Sequence, residues 1–186
     1  MIIFAVTTDV EFIGKPEWLD TFFIKHNKVK YDFHVTLKQS CVIEKKQVSK
    51  IKNTLSEYFE QEEPKQIDIV FDRLNSDASV DDLSKNDGTI MINSDNESVM
   101  NLQRAIVELL SDYKNFLIQE TKNYQEKFKP HITIATGLNQ EQFESAKKDL
   151  REDYLCQAKL IKVILIIIYN FKQETERREE VAYNLL

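Results

Sequence analysis

Two tetrapeptides in the sequence share one order of residue types: His, aliphatic, Thr, aliphatic. The first is His34-Val35-Thr36-Leu37 and the second is His131-Ile132-Thr133-Ile134. Successive side chains of a β-strand point to opposite faces, so each tetrapeptide would place its His and Thr together and its two aliphatic residues on the opposite face. Because the sequence has only three histidines, two such matches indicate a shared function rather than chance.

These residue types suit acid–base chemistry at phosphorus. Imidazole titrates near neutrality, so one of His34 and His131 can take a proton from an attacking water or ribose hydroxyl while the other gives a proton to the leaving oxygen. Sequence alone leaves open which ring is the base. The Thr36 and Thr133 hydroxyls can donate hydrogen bonds to nonbridging phosphate oxygens. Neither tetrapeptide contains Asp or Glu, and metal-ligand spacings of histidine are absent, so we predict phosphodiester chemistry without metal or cofactor.

The elements that must position these residues alternate along the chain. Hydrophobic periodicity predicts roughly β-α-β-α-β twice, with one His-Thr strand in each half. Predicted strands cover 2–8, 31–40, 66–74, 88–93, 131–136 and 158–171, and predicted helices begin near Pro16 and cover 44–62, 98–116 and 140–153. Residues 75–87 are predicted to form an acidic loop of undetermined role, and residues 114–129 form a less regular segment. The tail from Gln173 is charged, but its apolar residues at 181–186 could dock on the body of the protein. We predict an α+β fold in which residues 1–186 form a single bilobal domain.

The paired tetrapeptides, with the second inside Lys129-Pro130-His131-Ile132-Thr133-Ile134, resemble the HxT motifs of the 2H phosphoesterase superfamily. The branch that the sequence most resembles is the 2′-5′ RNA ligase-like proteins, which also act as RNA 2′,3′-cyclic phosphodiesterases. The resemblance implies two pseudo-symmetric halves, antiparallel-rich sheets around a central cleft, and helices outside. It also implies that His34, Thr36, His131 and Thr133 line the cleft, and that the protein hydrolyses 2′,3′-cyclic phosphates or 2′-5′ linkages, with ligation as the reverse reaction.

Further candidates for substrate binding surround the motifs. The branch commonly has a basic residue soon after the second motif, where this sequence has Ala135-Thr136-Gly137. We expect Lys38, two residues past Thr36 on the same predicted face, to supply positive charge instead. Four aromatic residues flank the motifs, and the two in the less regular segment, Tyr124 and Phe128, are the preferred candidates for base stacking. We expect structural roles for the other residues near the motifs and for the remaining His and Cys. Tyr31 should contribute to packing, and Phe33, Cys41 and Cys156 should lie in the core. Lys127 and Lys129 should lie at a solvated edge, and His26 should lie at the end of a helix.

Charge and composition limit the partners. The 186 residues carry a formal net charge of −6, which disfavours sequence-independent binding of long duplex nucleic acid, where cationic contacts dominate affinity. Residues 25–52 nevertheless contain eight lysines and two acidic residues, which suits a short RNA or nucleotide. The longest apolar run, Val163 to Tyr169, is too short to span a membrane, and the apolar start lacks the basic region of a signal peptide. We expect a cytoplasmic monomer.

Three functions are consistent with these observations. The first is a phosphodiesterase acting on RNA 2′,3′-cyclic phosphate ends or 2′-5′ linked oligonucleotides. The second uses the same four side chains on cyclic nucleotide or cyclic oligonucleotide signals. The third is a non-catalytic protein of the 2H fold that binds RNA or nucleotides, which the presence of both complete motifs disfavours.

Overall fold

A computed structural model describes residues 1–26, 32–76, 80–151 and 155–186. Tyr31 lies outside these ranges. Within them the strands are β1 (Ile2–Phe12), β2 (His34–Ile43), β3 (Ile67–Phe71), β4 (Arg73–Asn75), β5 (Gly88–Asn93), β6 (His131–Leu138), β7 (Cys156–Tyr169) and β8 (Arg177–Asn184). The helices are α1 (Glu17–His26), α2 (Lys45–Glu62), α3 (Val80–Ser84), α4 (Glu97–Leu109), α5 (Thr121–Glu126) and α6 (Gln140–Asp149).

The larger sheet is organised around β7. Its order is β2-β1-β7-β3, and β8 also pairs with β7. All of these pairings are antiparallel. The first residues of β7 pair with β3 and the later residues pair with β8, while β1 pairs along its other side. Val163, Leu165 and Ile167 of β7 are buried in the core and the residues between them are half-buried, so one face of the sheet covers the core and the other is accessible.

The smaller sheet has the order β4-β5-β6 and is also antiparallel. Its edge strand β6 begins with His131, just as the edge strand β2 of the larger sheet begins with His34. The two edge strands pack against each other. The sheets therefore meet at the two strands that carry the His-Thr motifs.

Helix packing connects the two halves of the chain. Helix α1 contacts β6 and α6, whereas α4 and α5 contact β2. The apolar side of α4, which includes Val99 and Ile106, is buried in a core that draws on both sheets. The start of α4 is capped by Asn96, whose side chain accepts a hydrogen bond from the Val99 amide at 3.0 Å. Burying a Val or Ile side chain stabilises the fold by about 1.5–3 kcal/mol. Each motif strand is therefore packed against at least one helix from the other half of the chain, β2 against α4 and α5 and β6 against α1.

The predicted α+β class with antiparallel sheets is confirmed, and two predictions about single elements are wrong. Residues 75–87 are not all loop, because α3 lies among them. Helix α4 ends at Leu109 rather than Phe116, since residues 115–117 instead run along β2, where the Val42 amide donates to the Asn115 carbonyl at 2.7 Å. The charged tail forms strand β8 along β7, an element that the sequence did not predict. Tyr183 and Leu185 are buried, in agreement with the expected docking of the apolar residues at 181–186. No helix in the described ranges is long and apolar enough to cross a membrane.

Candidate active site

The two motif strands have the same pattern of burial. Over their first eight residues, β2 and β6 follow one sequence of buried and half-buried positions. The aliphatic residues of the motifs are at most 1% exposed: Val35, Leu37, Ile132 and Ile134. His34, Thr36, His131 and Thr133 are half-buried. The predicted alternation is therefore confirmed, with each His beside its Thr on the face away from the core.

Each motif histidine is held by the backbone in the same way. His34 Nδ1 lies 2.8 Å from the Asp32 carbonyl oxygen, and His131 Nδ1 lies 2.8 Å from the Lys129 carbonyl oxygen. A carbonyl oxygen only accepts, so Nδ1–H must donate and the lone pair of each neutral ring is on Nε2. Sequence reasoning missed this arrangement because the acceptors are main-chain atoms, which carry no residue-type pattern.

The surroundings of His131 shift the pKa of its imidazole. Burial lowers the pKa of His131, the hydrogen bond to Lys129 opposes this effect, and the positive charge of His34 lowers the pKa further. A neutral imidazole can accept a proton. His131 thus stays neutral to a lower pH than an ordinary histidine and is suited to the role of base.

Central strands of both sheets place an Asp or Asn directly opposite each motif histidine. Asp9 of β1 is the register partner of His34, and Asn93 of β5 is the register partner of His131. Side chains directly opposite one another in an antiparallel pair share a face of the sheet. Asp9 also forms an ion pair with Lys162 at 2.9 Å. No spacing in the sequence points to Asp9 or Asn93, since their positions depend on strand register.

The register of both motif strands shifts just after the Thr. In the β1–β2 pairing, the shift falls between the positions of Thr36 and Lys38. In the β5–β6 pairing, it falls at the equivalent place, between the positions of Thr133 and Ala135. Such bulges interrupt the simple alternation of side chains. Lys38 and Ala135, the residues two past each Thr, are accordingly 1% and 0% exposed.

Residues 23–170 match the family described as the 2′-5′ RNA ligase superfamily. The chain belongs to this superfamily. Two solved structures share its fold, each at 11% sequence identity: a crystal structure of a phosphoesterase, with a TM-score of 0.61 over 100% of this chain and 99% of that chain, and Escherichia coli LigT complexed with 3′-AMP, with a TM-score of 0.58 over 99% and 97%. No curated protein matches the sequence.

The expected resemblance to 2H phosphoesterases is therefore confirmed for family and fold, and membership of the superfamily supports a phosphoesterase role for this protein. In the part of the chain that the structure describes, no group of three His, Cys, Asp or Glu side chains is arranged to hold a metal ion.

Lys38 does not share the half-buried face of His34 and Thr36, so that expectation is wrong. Its Nζ donates to the Tyr113 carbonyl oxygen at 3.0 Å and to Gln125 Oε1 at 3.3 Å. Burial lowers the pKa of Lys38. The register shift explains this placement because it turns the side chain toward the interior. A direct contact between Lys38 and substrate stays a prediction.

The two preferred aromatic residues lie in different surroundings. Tyr124 is 63% exposed on α5. Phe128 is half-buried, packs against the core, and lines a pocket of about 650 Å³ together with Lys38 and Gln103. Phe33 also packs against the core, with its ring edge-on to Phe12 at 5.3 Å. Base stacking by Tyr124 or Phe128 stays a prediction.

The remaining sequence expectations concern residues outside the candidate site. Lys127 and Lys129 are exposed, as a solvated edge requires. His26 is the last residue of α1, as predicted, and its Nε2 lies 2.6 Å from Asp149 Oδ2. Cys41 and Cys156 are buried, as predicted. Burial raises the pKa of Cys156 to about 11, which makes its thiol a poor nucleophile at neutral pH.

Proposed function

We propose that this protein is a metal-independent phosphodiesterase acting on the 2′,3′-cyclic phosphate ends of short RNA or on 2′-5′ linked oligonucleotides. His34 and His131 form the acid–base pair, and Thr36 and Thr133 bind the nonbridging oxygens. The observation that carries this proposal is the matching presentation of the motifs. Both strands have the same burial pattern, and both histidines are held at Nδ1 by the carbonyl two residues earlier.

The proposed reaction requires one neutral and one protonated imidazole. Nε2 of His131 takes a proton from a water as its oxygen attacks phosphorus. The bond from phosphorus to the ribose oxygen breaks, and Nε2–H of His34 gives that oxygen a proton. The lowered pKa of His131 supports its assignment as base, which leaves proton donation to His34. Both proton transfers are thereby supplied by protein side chains, and the cycle closes when the two rings exchange a proton with solvent.

Two observations support a small nucleotide substrate. The LigT structure that shares this fold contains 3′-AMP, and a 3′-phosphate is one of the two products that opening a 2′,3′-cyclic phosphate can give. The net charge of −6 disfavours long duplex nucleic acid as a partner. The proposal also assigns base stacking to Tyr124 and Phe128. It further assigns to Lys38 the supply of positive charge to the substrate.

The test compares wild type with His34→Asn and His131→Asn in the presence of EDTA. The asparagine amide can retain the hydrogen bond to the backbone carbonyl, so each substitution removes chiefly the titratable nitrogen. His26→Gln is the matched control, because glutamine can still donate to Asp149. Substrates are an oligonucleotide ending in adenosine 2′,3′-cyclic phosphate, a 2′-5′ oligoadenylate and a panel of cyclic nucleotides.

Each motif substitution should lower kcat about 10²- to 10⁴-fold, whereas the control should retain activity. Full activity in either motif variant would contradict the acid–base pair. Loss of wild-type activity in EDTA, with recovery on adding a divalent ion, would contradict the metal-free mechanism. Preference for a cyclic nucleotide would support the signalling alternative, and tight binding without turnover would support the non-catalytic one.

A further inference from the structure

A pocket of about 340 Å³ lies beside His34 on the accessible face of the larger sheet. Its lining includes His34 from β2, Asp9 from β1, Ile164 and Ile166 from β7, and Arg178 and Glu180 from β8. This volume is at the small end of the range for ligand pockets, about 300–1,000 Å³. The pocket thus suits one small ligand and is too small for an oligonucleotide.

Strand register explains why these residues share the pocket. Asp9 is opposite His34, and Ile166 is opposite Glu180. Residues directly opposite in antiparallel strands point to the same face. The pocket crosses from β2 through β1 and β7 to β8, and three strand spacings correspond to about 14 Å. A ligand group attached to a phosphate at His34 would therefore extend across the sheet toward β8.

The lining has the chemistry of a nucleoside site. Ile164 and Ile166 offer apolar surface on which a base or ribose can pack. Carboxylates of Asp9 and Glu180 can accept hydrogen bonds from ribose hydroxyls or exocyclic amines, and Arg178 can donate. Arg178 Nε donates to Glu180 Oε1 at 2.6 Å, which orients the guanidinium. Asp32 is also in the lining, and Lys162 pairs with Asp9 at 2.9 Å. The carboxylates of Asp9, Asp32 and Glu180 still outnumber the cations of Arg178 and Lys162, so a second phosphate is disfavoured relative to an uncharged nucleoside.

We propose that this pocket is the subsite for the nucleoside joined to the scissile phosphate on the His34 side, and that Arg178 and Glu180 of β8 determine base preference. The inference rests on the proposed function, because it places the phosphate between His34 and His131. Base preference is then set by the C-terminal strand, which lies far along the chain from both motifs.

The test uses Arg178→Gln and Glu180→Gln, with Arg177→Gln as the matched control. Arg177 is adjacent on β8 and loses the same charge, but its guanidinium stacks over the Tyr169 ring at 4.5 Å and it is not among the pocket residues. Substrates are the 2′,3′-cyclic phosphates of adenosine, guanosine, cytidine and uridine, together with ethylene phosphate. Ethylene phosphate is a five-membered cyclic diester that lacks both base and ribose.

Loss of a charge-assisted hydrogen bond should lower kcat/KM for the preferred nucleoside substrate about 10- to 100-fold. The order of preference among the four bases should change as well. Arg178→Gln and Glu180→Gln should hydrolyse ethylene phosphate with the kcat/KM of the wild type. Arg177→Gln should have the wild-type kcat/KM on every substrate. Equal losses on nucleoside substrates and ethylene phosphate, or no loss on either, would overturn the proposal.

A binding experiment separates this inference from the proposed function. Methyl NMR of Ile164 and Ile166 in the wild-type protein is recorded during titration with adenosine, which contains no phosphate. Selective shifts of these two methyl groups would support the subsite even if no diester were hydrolysed. Turnover of cyclic phosphates with no adenosine-dependent shift at either methyl group would overturn the subsite while the phosphodiesterase assignment stands.

Discussion

Replacing Thr133 by Val tests the proposed role of the motif hydroxyls. Valine keeps the β-branched shape on β6, where Thr133 is half-buried between the buried Ile132 and Ile134, and it removes the hydroxyl. Because Thr133 is half-buried, the free energy of unfolding of the variant is measured together with its activity. Removing one donor to developing oxyanion charge raises the activation barrier by about 2.7–4 kcal/mol. We therefore expect kcat/KM for a 2′,3′-cyclic phosphate to fall about 10²- to 10³-fold.

The same strand provides a matched control. Thr136 lies three residues further along β6, and its Oγ1 is 3.0 Å from Thr89 Oγ1. Thr136→Val loses that hydrogen bond, so it should cost about 1 kcal/mol of stability while leaving kcat/KM near the wild-type value. Thr133→Ser should restore most of the activity, because serine returns the hydroxyl.

The assay is hydrolysis of adenosine 2′,3′-cyclic phosphate in EDTA, with urea unfolding of each variant measured alongside. Thr36→Val should behave like Thr133→Val, since the two threonines occupy equivalent positions in strands with the same burial pattern. The reasoning is refuted if Thr133→Val retains activity close to wild type, or if Thr136→Val loses as much activity as Thr133→Val.

Three further predictions concern the groups around the site. Burial lowers the pKa of His131 below its ordinary 6.5, so the unfolded chain binds a proton at this imidazole more readily than the folded protein does. The free energy of unfolding should therefore fall as the pH drops below 6.5. An NMR titration of His131 with a midpoint at or above 6.5 would contradict this prediction. Lys38→Met should lower the urea-unfolding free energy by about 1–3 kcal/mol, because the buried Tyr113 carbonyl loses the donor at 3.0 Å. Lys38→Ala should lose a further 2–5 kcal/mol, about the cost of the cavity it leaves; equal losses in both variants would be inconsistent with a packing role for the Lys38 side chain. Gly88→Ala would bring its Cβ to 2.7 Å from the Leu138 carbonyl oxygen and should cost about 1–3 kcal/mol, seen as a lower Tm, and an unchanged Tm would show that β5 can shift at this point.

Local patterns allowed correct prediction of the motif strands. His34 and Thr36 alternate with Val35 and Leu37, and the strand period of two is a property of the backbone that needs no distant partner. The same pattern at residues 131–134 predicted the second strand, and the helix at 44–62 followed from apolar spacing of 3.6 residues per turn.

Predictions failed where distant segments decide the backbone. Lys38 should have shared the face of Thr36 by alternation, but a register shift against β1 turns it inward. Strand β8 is rich in charged residues, which are uncommon in strands, and it forms because β7 offers unpaired backbone groups along its later half. Helix α4 ends early because residues 115–117 bond to β2.

The sequence by itself determined which chemical groups this protein presents, how they are spaced, and which face of its strand each His and Thr of the two motifs occupies. Tertiary structure alone decided that the strands of His34 and His131 pack together, that Asp9 and Asn93 stand opposite those histidines, and that Arg178 of β8 lines the same pocket as His34. The physical reason is a difference in range. Side-chain alternation follows from the covalent geometry of a few residues, whereas register and sheet contact are set by burial and hydrogen bonds between segments far apart in the chain.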